Sequence, residues 1–260
     1  MKPVITLTTD FGTRDYFTGI LRGVILQINP DIRIVDITHD IPPFEIKTAA
    51  FVISKAHRDF PRGSIHMVVV DPGVGSERRP LLVVSRTGFF LAPDNGVLSY
   101  VYEEDGPCQI YEIKEKKFFL PSSGNTFHGR DIFAPVAAWL STGLEAHSFG
   151  PAINDPVKFP VSKPALTQGN ITGNVVFIDH FGNLISNIRS SHLPSPDLKH
   201  LTLKIGEQTL KGGKRYYQEA VKGEISFTIN SSGHIEIFQN QGSAVKTLEI
   251  SLDEKVSLTL

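Results

Sequence analysis

The stretch VITLTTDFG, residues 4–12, sets the pattern that the first half of the chain repeats. Its first six residues are apolar or β-branched, which predicts a buried β-strand. A carboxylate and a glycine follow the strand, at Asp10 and Gly12. Ligands of open parallel sheets bind at the carboxyl ends of the strands, but an Asp here can also cap a following helix. The stretch therefore predicts a first strand and leaves two roles open for Asp10.

Helical and strand periodicities alternate after that strand. Apolar residues recur from Phe17 to Ile28 at the spacing of an amphipathic helix. The same pattern predicts, in order, a strand at Ile32–Ile37, a helix at Ile46–Ile53, a strand at Ser64–Val70, a hairpin at Leu81–Leu91 and a short helix at Ile132–Leu140. Because such alternation is typical of a sheet covered by helices on both faces, the first half is predicted to be an α/β domain with a mostly parallel central sheet.

The second half has a different pattern. Residues 154–164 contain three prolines and are predicted to be extended. From Gly173 onward, short alternating runs are separated by turn signals such as Gly212-Gly213, which predicts a small antiparallel β-barrel or sandwich. We therefore predict an α/β N-terminal domain at 1–160, a linker at 161–170 and a smaller all-β, barrel-like C-terminal domain at 171–260.

The charge and the cysteine content of the sequence exclude several classes of protein. A formal net charge of −1 gives no global electrostatic reason to bind nucleic acid or an anionic membrane. Cys108 is the single cysteine, which excludes an internal disulfide framework and a multi-cysteine metal site. No signal-peptide pattern and no apolar run of membrane-spanning length is present. These features predict a cytoplasmic protein with no membrane or nucleic-acid partner.

Polar residues with glycine or proline follow several predicted strands or precede the last helix of the first half. They form five stretches: 8–12, 36–40, 71–78, 93–96 and 126–131. Because the carboxyl ends of parallel strands meet at one edge, we expect one ligand site there. The match to the dinucleotide-binding fingerprint Gly-x-Gly-x-x-Gly is weak. Gly73 and Gly75 fit its first two glycines, but Arg78 occupies the position of the third. A P-loop and a nucleophile elbow are absent from the sequence.

Each polar residue also has a simpler interpretation. His39 and His128 are typical of hydrogen-bonded structural histidines, and the His128–Asp131 spacing alone is weak evidence for a metal. Asp131 is predicted to cap the short helix that follows it. In the second half, Asp179–Asn183 and Ser231–Gly233 are typical of hairpin turns when each is taken alone.

Taken together, the motifs identify a family. They are TTDFG, VVDPGVGSERR, APDNG, TFHGRDIFAP, IDHFGNLISNI and SSGHIEIFQNQGSA, in this order along the chain. The whole chain resembles the S-adenosyl-L-methionine hydrolases, also called S-adenosylmethionine hydroxide adenosyltransferases, which are relatives of fluorinase and chlorinase. The resemblance implies an enzyme that hydrolyses S-adenosyl-L-methionine to adenosine and L-methionine, with no cofactor and no metal. It also implies a homotrimer with sites between the N-domain of one subunit and the C-domain of the next.

The resemblance assigns roles to residues of the first half. Asp10 matches the carboxylate that binds the ribose diol, and Gly12 would let the chain turn around the sugar. Asp71, Arg78 and His128 match the catalytic set of the family. Halogenating relatives carry Tyr where this chain has Asp71, so the chain resembles the branch that uses water.

The resemblance also assigns substrate contacts in the second half. Asp179 matches the carboxylate that holds the methionine ammonium, and Asn183 lies in the adenine-side motif. Phe181 and Tyr217 match aromatic positions beside the purine. Ser231 falls near the methionine-carboxylate segment. Two positions depart from the family pattern, because Tyr216 precedes Tyr217 and Ser232 replaces the Arg of halogenating relatives.

The implied chemistry is consistent with these residue types. Attack of hydroxide on ribose C5′ neutralises the sulfonium charge, so exclusion of water and in-line geometry favour it. Arg78 would stabilise hydroxide, while Asp71 and His128 both remain open as the base. Three alternatives are a halide-dependent adenosyltransferase, a non-catalytic protein that binds S-adenosylmethionine or a nucleoside, and a metallohydrolase.

Overall fold

The computed structural model describes residues 3–121 and 124–260. The chain divides into two compact units, Met1–Val161 and Ser162–Leu260. Residues 154–164 contain no helix or strand, as their prolines predict. Residues Ala165–Thr167, within the stretch predicted as a linker, form a short strand in the second unit.

The first unit is an α/β domain. Its strands are β1 Val4–Thr9, β2 Arg33–Thr38, β3 Ser64–Val69, β4 Pro80–Val84, β5 Gly88–Pro93, β6 Gln109–Glu112 and β7 Ala152–Ile153. Its helices are α1 Phe17–Ile28, α2 Ile46–Ala56, α3 Ser99–Asp105 and α4 Ala134–Ser141. Among the described residues these strands form one sheet in the order β2-β1-β3-β5-β4-β6-β7.

The sheet is mixed, and its parallel part is built from the strands that the sequence predicts first. Strands β2, β1, β3 and β5 are parallel, whereas β4, β6 and β7 join antiparallel. All six residues of β1 and all six of β3 are buried, because separate apolar clusters cover the two faces of the sheet. This burial explains why β1 is a continuous run of apolar or β-branched residues, and why β3 is apolar except for the buried Ser64 and His66.

Two helical segments differ from the prediction. Helix α3 was not predicted, because its seven residues, SYVYEED, are too short and too polar to show a helical period. The predicted helix at Ile132–Leu140 begins at Ala134, and a π-helical turn at Gly129–Phe133 precedes it. Single π-turns are rare in helices and are frequent at functional sites.

The parallel register explains why polar loops meet at one edge. Thr9 of β1 pairs with Val69 of β3, so the residues that follow the two strands leave the sheet at the same level. Asp10 follows β1, and Asp71 lies two residues beyond β3. The two carboxylates are thereby placed at the carboxyl edge, where open parallel sheets bind ligands.

The second unit is an antiparallel, barrel-like β-domain. Its strands are β8 Ala165–Thr167, β9 Asn170–Ile178, β10 Leu184–Arg189, β11 Thr202–Ile205, β12 Gln208–Lys211, β13 Ile225–Ile229, β14 His234–Gln239 and β15 Lys255–Thr259, and helix α5 spans Ala244–Leu248. The order is β12-β11-β15-β9-β10-β14-β13, with β8 beside β9. Alternate apolar side chains of these strands form one core, which includes Val175, Ile237 and Val256.

Membrane insertion by a helix finds no support in the structure. Within residues 3–121 and 124–260, every helix lacks the length or the apolar character that a bilayer crossing requires.

Candidate active site

A buried ion pair holds Arg78 against Asp71, and His128 completes the cluster. Arg78 Nε donates to Asp71 Oδ1 at 3.0 Å, and Nη2 donates to Asp71 Oδ2. Nη2 also donates to His128 Nδ1 at 2.7 Å. The Arg78 and Asp71 side chains are 8% and 5% exposed. The structure therefore brings together the three residues that the sequence predicts to be catalytic.

The hydrogen bond from Arg78 defines the state of His128. A guanidinium only donates, so His128 Nδ1 must accept and the ring proton lies on Nε2. Burial, and then the positive charge of Arg78, lower the pKa of His128 below its ordinary value. His128 is therefore neutral at neutral pH, and its Nδ1 lone pair is already engaged. Asp71 differs, because each carboxylate oxygen keeps a second lone pair while it accepts from Arg78.

One nitrogen of Arg78 makes no hydrogen bond within residues 3–121 and 124–260. Nη1 is buried and finds no hydrogen-bond acceptor in the part of the chain that the structure describes. The guanidinium carbon lies 5.6 Å from the centre of the Phe133 ring, within the range of a cation–π contact. A buried donor without an acceptor is costly, so the geometry favours a small oxygen ligand at Nη1.

A cavity of about 310 Å³ lies beside this cluster and also reaches Asp10. Aromatic and apolar side chains make up most of its wall, with a few polar groups. Its lining residues are Asp10, Phe11, Phe17, Pro43, Phe44, Val69, Asp71, Val74, Thr126, Phe127, His128 and Gly129. An apolar pocket with a few converging polar groups is typical of a small-molecule site.

Asp10 lines the cavity and does not cap helix α1. The residue that precedes α1 is Tyr16, and it makes no side-chain cap. Asp10 Oδ2 instead accepts the Phe44 N–H at 2.9 Å. Phe44 has a φ of 70° and is largely exposed at the cavity. Its backbone conformation is unusual for an aromatic residue, and such conformations cluster at ligand sites. Sequence reasoning missed Phe44, because no local pattern marks it.

The loop that carries Arg78 depends on Gly75. Gly75 has a φ of 80°, and a Cβ there would lie 2.6 Å from the carbonyl oxygen of Asn125. Only glycine therefore allows the 71–78 loop to pack against the segment that leads to His128. This close approach brings the loop that carries Asp71 and Arg78 against the segment that precedes His128.

His39 and Asp131, which the sequence analysis singled out, both make hydrogen bonds within the protein. His39 is buried, and its Nδ1 lies 2.8 Å from Thr9 Oγ1, which confirms the interpretation of a hydrogen-bonded structural histidine. The prediction that Asp131 caps a helix is wrong. Asp131 lies inside the π-helical turn and accepts from Arg130 Nε at 2.5 Å, and the residue before α4 is Phe133. Among the described residues, no group of three or more His, Cys, Asp or Glu side chains is arranged to hold a metal ion.

In the second unit, Asp179 and Asn183 form one hydrogen-bonded turn between β9 and β10. Asp179 Oδ1 accepts the Asn183 N–H at 2.8 Å, and Oδ2 accepts Asn183 Nδ2 at 2.9 Å. Gly182 supports the turn with a φ of 84°. Phe181 lies at its tip and is 73% exposed. The turn predicted from the sequence is present, and it presents an aromatic ring beside a carboxylate.

The hydroxyl of Tyr217 hydrogen-bonds a buried carboxylate, that of Glu236. The pKa of the Tyr217 hydroxyl is raised, first by burial, then by its hydrogen bond to Glu236, and also by the negative charges of Glu236 and Asp179. Tyr217 Oη donates to Glu236 Oε1 at 2.7 Å. The sequence did not predict a role for Glu236, because a single Glu in a strand of alternating apolar and polar residues is typical of a side chain that faces solvent.

Ser231 is exposed in the turn between β13 and β14. The side chain of the preceding residue, Asn230, organises this turn by accepting the N–H groups of Ser232 and His234, each at 3.0 Å. Asp179 and Asn183 therefore share one turn, whereas Tyr217 and Asn230, the neighbour of Ser231, both hydrogen-bond the side chain of Glu236.

Comparison with known proteins agrees with the two-unit organisation. Residues 5–150 match the model of the SAM hydroxide adenosyltransferase N-terminal domain, and residues 173–257 match that of the C-terminal domain. The chain belongs to the SAM hydroxide adenosyltransferase family. The two matched regions fall on the α/β unit and on the β unit of this chain, which are the two units predicted from the sequence.

Several full-length relatives are similar to the chain. The (R)-S-adenosyl-L-methionine hydrolase of Methanocaldococcus jannaschii is 36% identical, over 96% of this chain and 94% of the relative. The enzyme of the same name from Salinispora tropica is 31% identical, over 99% and 98%. A fluorinase of an Actinoplanes species is 29% identical, over 77% and 76%. The crystal structure of an uncharacterized conserved protein from Thermotoga maritima superposes with a TM-score of 0.92, at 33% identity, over 99% of this chain and all of that one.

Proposed function

We propose that this protein hydrolyses S-adenosyl-L-methionine to adenosine and L-methionine by in-line attack of hydroxide on ribose C5′. The observation that carries the proposal is the buried Arg78, which is held by Asp71 and His128 and keeps Nη1 without a partner in the described chain. The names of the full-length relatives support the same substrate and reaction.

In this proposal Arg78 binds the attacking water through Nη1. A buried positive charge stabilises hydroxide over water and so favours loss of a proton. His128 Nδ1 is engaged by Arg78, so it orients the guanidinium and does not act as the base. Asp71 keeps an acceptor lone pair and receives the proton, which then passes to solvent.

The reaction needs no covalent enzyme intermediate. The hydroxide oxygen forms a bond to C5′ as the C5′–S bond breaks, and the electron pair of that bond stays on sulfur as methionine leaves. Positive and negative charge neutralise each other in the transition state, so a mostly apolar cavity accelerates the step. Asp10 accepts the two ribose hydroxyls and sets the sugar in line with the hydroxide.

The second unit supplies the remaining substrate contacts in this proposal. Asp179 holds the methionine ammonium, and Asn183 lies on the adenine side. Phe181 and Tyr217 pack on the purine, and Ser231 contacts the methionine carboxylate. We propose further that the protein is a cytoplasmic homotrimer in which second-unit residues complete the site of a neighbouring copy, and that no metal or cofactor takes part. These finer points rest on the family resemblance.

Product analysis tests the proposal. The purified protein is incubated with S-adenosyl-L-methionine in halide-free buffer and then with added chloride or fluoride, and the products are separated by chromatography. Adenosine and methionine in equal amounts, unaffected by halide, are expected. A 5′-halo-adenosine would show a halide-dependent transferase. Bound but unchanged substrate would show a binding protein and overturn the catalytic roles.

A further inference from the structure

Tyr217 needs an anchor, because its backbone provides little rigidity. It begins a three-residue 3-10 turn, Tyr217–Glu219, and its side chain is 47% exposed. Two contacts orient the phenol ring. The ring packs edge-on against Phe238 at a centroid distance of 4.9 Å, and the hydroxyl donates to Glu236 at 2.7 Å. An edge contact allows the ring to shift, so the hydrogen bond determines its direction.

Glu236 is a rigid acceptor. It lies in β14 between two neighbouring strands, opposite Ile185 of β10 and Thr228 of β13. It is only 3% exposed. A side chain held on a central strand positions a partner more exactly than a side chain on a loop does.

A carboxyl group at this position does not help the fold by itself. Burying a carboxyl costs free energy unless its hydrogen bonds are satisfied, and an apolar or β-branched residue would suit the middle of a sheet better. Burial is the main cause that raises the pKa of Glu236, and the charge of Asp179 adds to it. Hydrogen bonds to Tyr217 and to the side chain of Asn230 act on this pKa in the opposite direction, so the carboxyl group has polar partners at this buried position.

We propose that Glu236 is a positioning residue, whose Oε1 fixes the Tyr217 phenol as a platform for the purine of the substrate. In this proposal Glu236 acts through Tyr217, since Glu236 is almost fully buried and its Oε1 accepts from the Tyr217 hydroxyl. The inference rests on the proposed function, because that function places the purine on Tyr217.

Substitution at both ends of the hydrogen bond tests the proposal. Glu236→Met keeps the volume and removes the acceptor, Glu236→Gln keeps an acceptor oxygen, and Tyr217→Phe removes the donor. Loss of one hydrogen bond predicts a KM for S-adenosyl-L-methionine that is about 5-fold higher in Glu236→Met and in Tyr217→Phe. Glu236→Gln is expected to stay within about 2-fold of wild type, because its amide oxygen still accepts.

The double variant shows whether the two residues act as one unit. Glu236→Met added to Tyr217→Phe is expected to raise KM no further, because the hydrogen bond is already absent. In each single variant the inhibition constant of adenosine is expected to rise by the same factor as KM. The inhibition constant of methionine and the value of kcat are expected to stay unchanged. A purely structural role of Glu236 would lower the melting temperature without separating these constants.

The contrary outcomes are distinct. An unchanged KM in Glu236→Met, or an equal rise of KM in the wild-type and Tyr217→Phe backgrounds, would overturn the inference. If Glu236→Met does not fold, Tyr217→Phe decides alone, and an unchanged KM overturns the inference. Wild-type protein that forms no adenosine would refute the proposed function itself, which is a different result.

Discussion

Replacing Arg78 with Met removes the charge and the donors on which the proposed chemistry depends. Its guanidinium makes two hydrogen bonds to Asp71 and one to His128, and both members of the ion pair are less than one-tenth exposed. A preorganised charge at the reacting oxygen contributes about 10²–10³-fold to kcat. Arg78→Met is therefore expected to lower kcat for adenosine formation by at least about 10²-fold.

The same substitution lowers stability, which has to be separated from catalysis. Breaking a buried pair leaves an uncompensated carboxylate and costs about 3–5 kcal/mol. Urea unfolding of Arg78→Met measures this loss. Adding Asp71→Asn to Arg78→Met removes the stranded charge, so stability is expected to recover in part while turnover stays lost.

Arg79 provides the matched control, because it is the next residue and also binds buried acid. Arg79 Nε donates to Asp94 at 2.8 Å, and Nη1 donates to Asp155 at 2.9 Å, and these three residues do not belong to the described lining of the cavity. Arg79→Met is expected to lose stability and to keep kcat within about 3-fold of wild type, measured at saturating substrate under conditions where the protein is folded. Equal kcat losses in the two variants, or an Arg78→Met kcat within about 3-fold of wild type, would refute the reasoning.

Three further predictions concern stability, the site loop and metal dependence. Burial, and then the charge of His57, lower the pKa of His66 to about 3 from 6.5, so the unfolded state binds more protons between these values. The contribution of the neutral His66 to the free energy of unfolding is expected to be fully present above pH 6.5 and to fall by about 1.4 kcal/mol per pH unit below it. Urea unfolding from pH 6.5 to 4.5 measures this dependence. An equal pH slope in His66→Gln would contradict it. Gly75→Ala is expected to lower the free energy of unfolding by about 1–3 kcal/mol and to lower kcat, because a side chain at φ 80° meets Asn125. An unchanged urea midpoint and an unchanged kcat would show that the loop tolerates a side chain. Prolonged treatment with a chelator is expected to leave turnover within about 2-fold, and recovery by added metal after a loss would exclude a metal-independent reaction.

Periodicity predicted the fold where the pattern was long. Six buried residues in β1 and twelve residues in α1 are long enough to show a strand and a helical period. Helix α3 has seven residues, and the π-turn before α4 is one turn long, so neither carries a period that can be recognised. The antiparallel part of the sheet begins with the β4–β5 hairpin, and β6 and β7, which follow α3 and α4 in the chain, pair antiparallel beyond β4.

The candidate site shows the same division between local and tertiary information. Asp10 and Asp71 could be predicted, because they follow strands and the parallel register brings such positions to one edge. Phe44 and Glu236 could not, since one is held by the Asp10 carboxylate and the other by its place between β10 and β13. Such contacts join residues far apart in the chain, and a single sequence does not show them.

The measurement that tests the central claim most directly follows the oxygen atom of the attacking water. The protein is incubated with S-adenosyl-L-methionine in water enriched in oxygen-18, and the products are examined by mass spectrometry. Attack on C5′ predicts adenosine with one solvent oxygen in its 5′-hydroxyl, together with unlabelled methionine and no other sulfur product. Adenosine without the label, or release of 5′-methylthioadenosine in place of methionine, would contradict the proposal that Arg78 directs hydroxide at C5′.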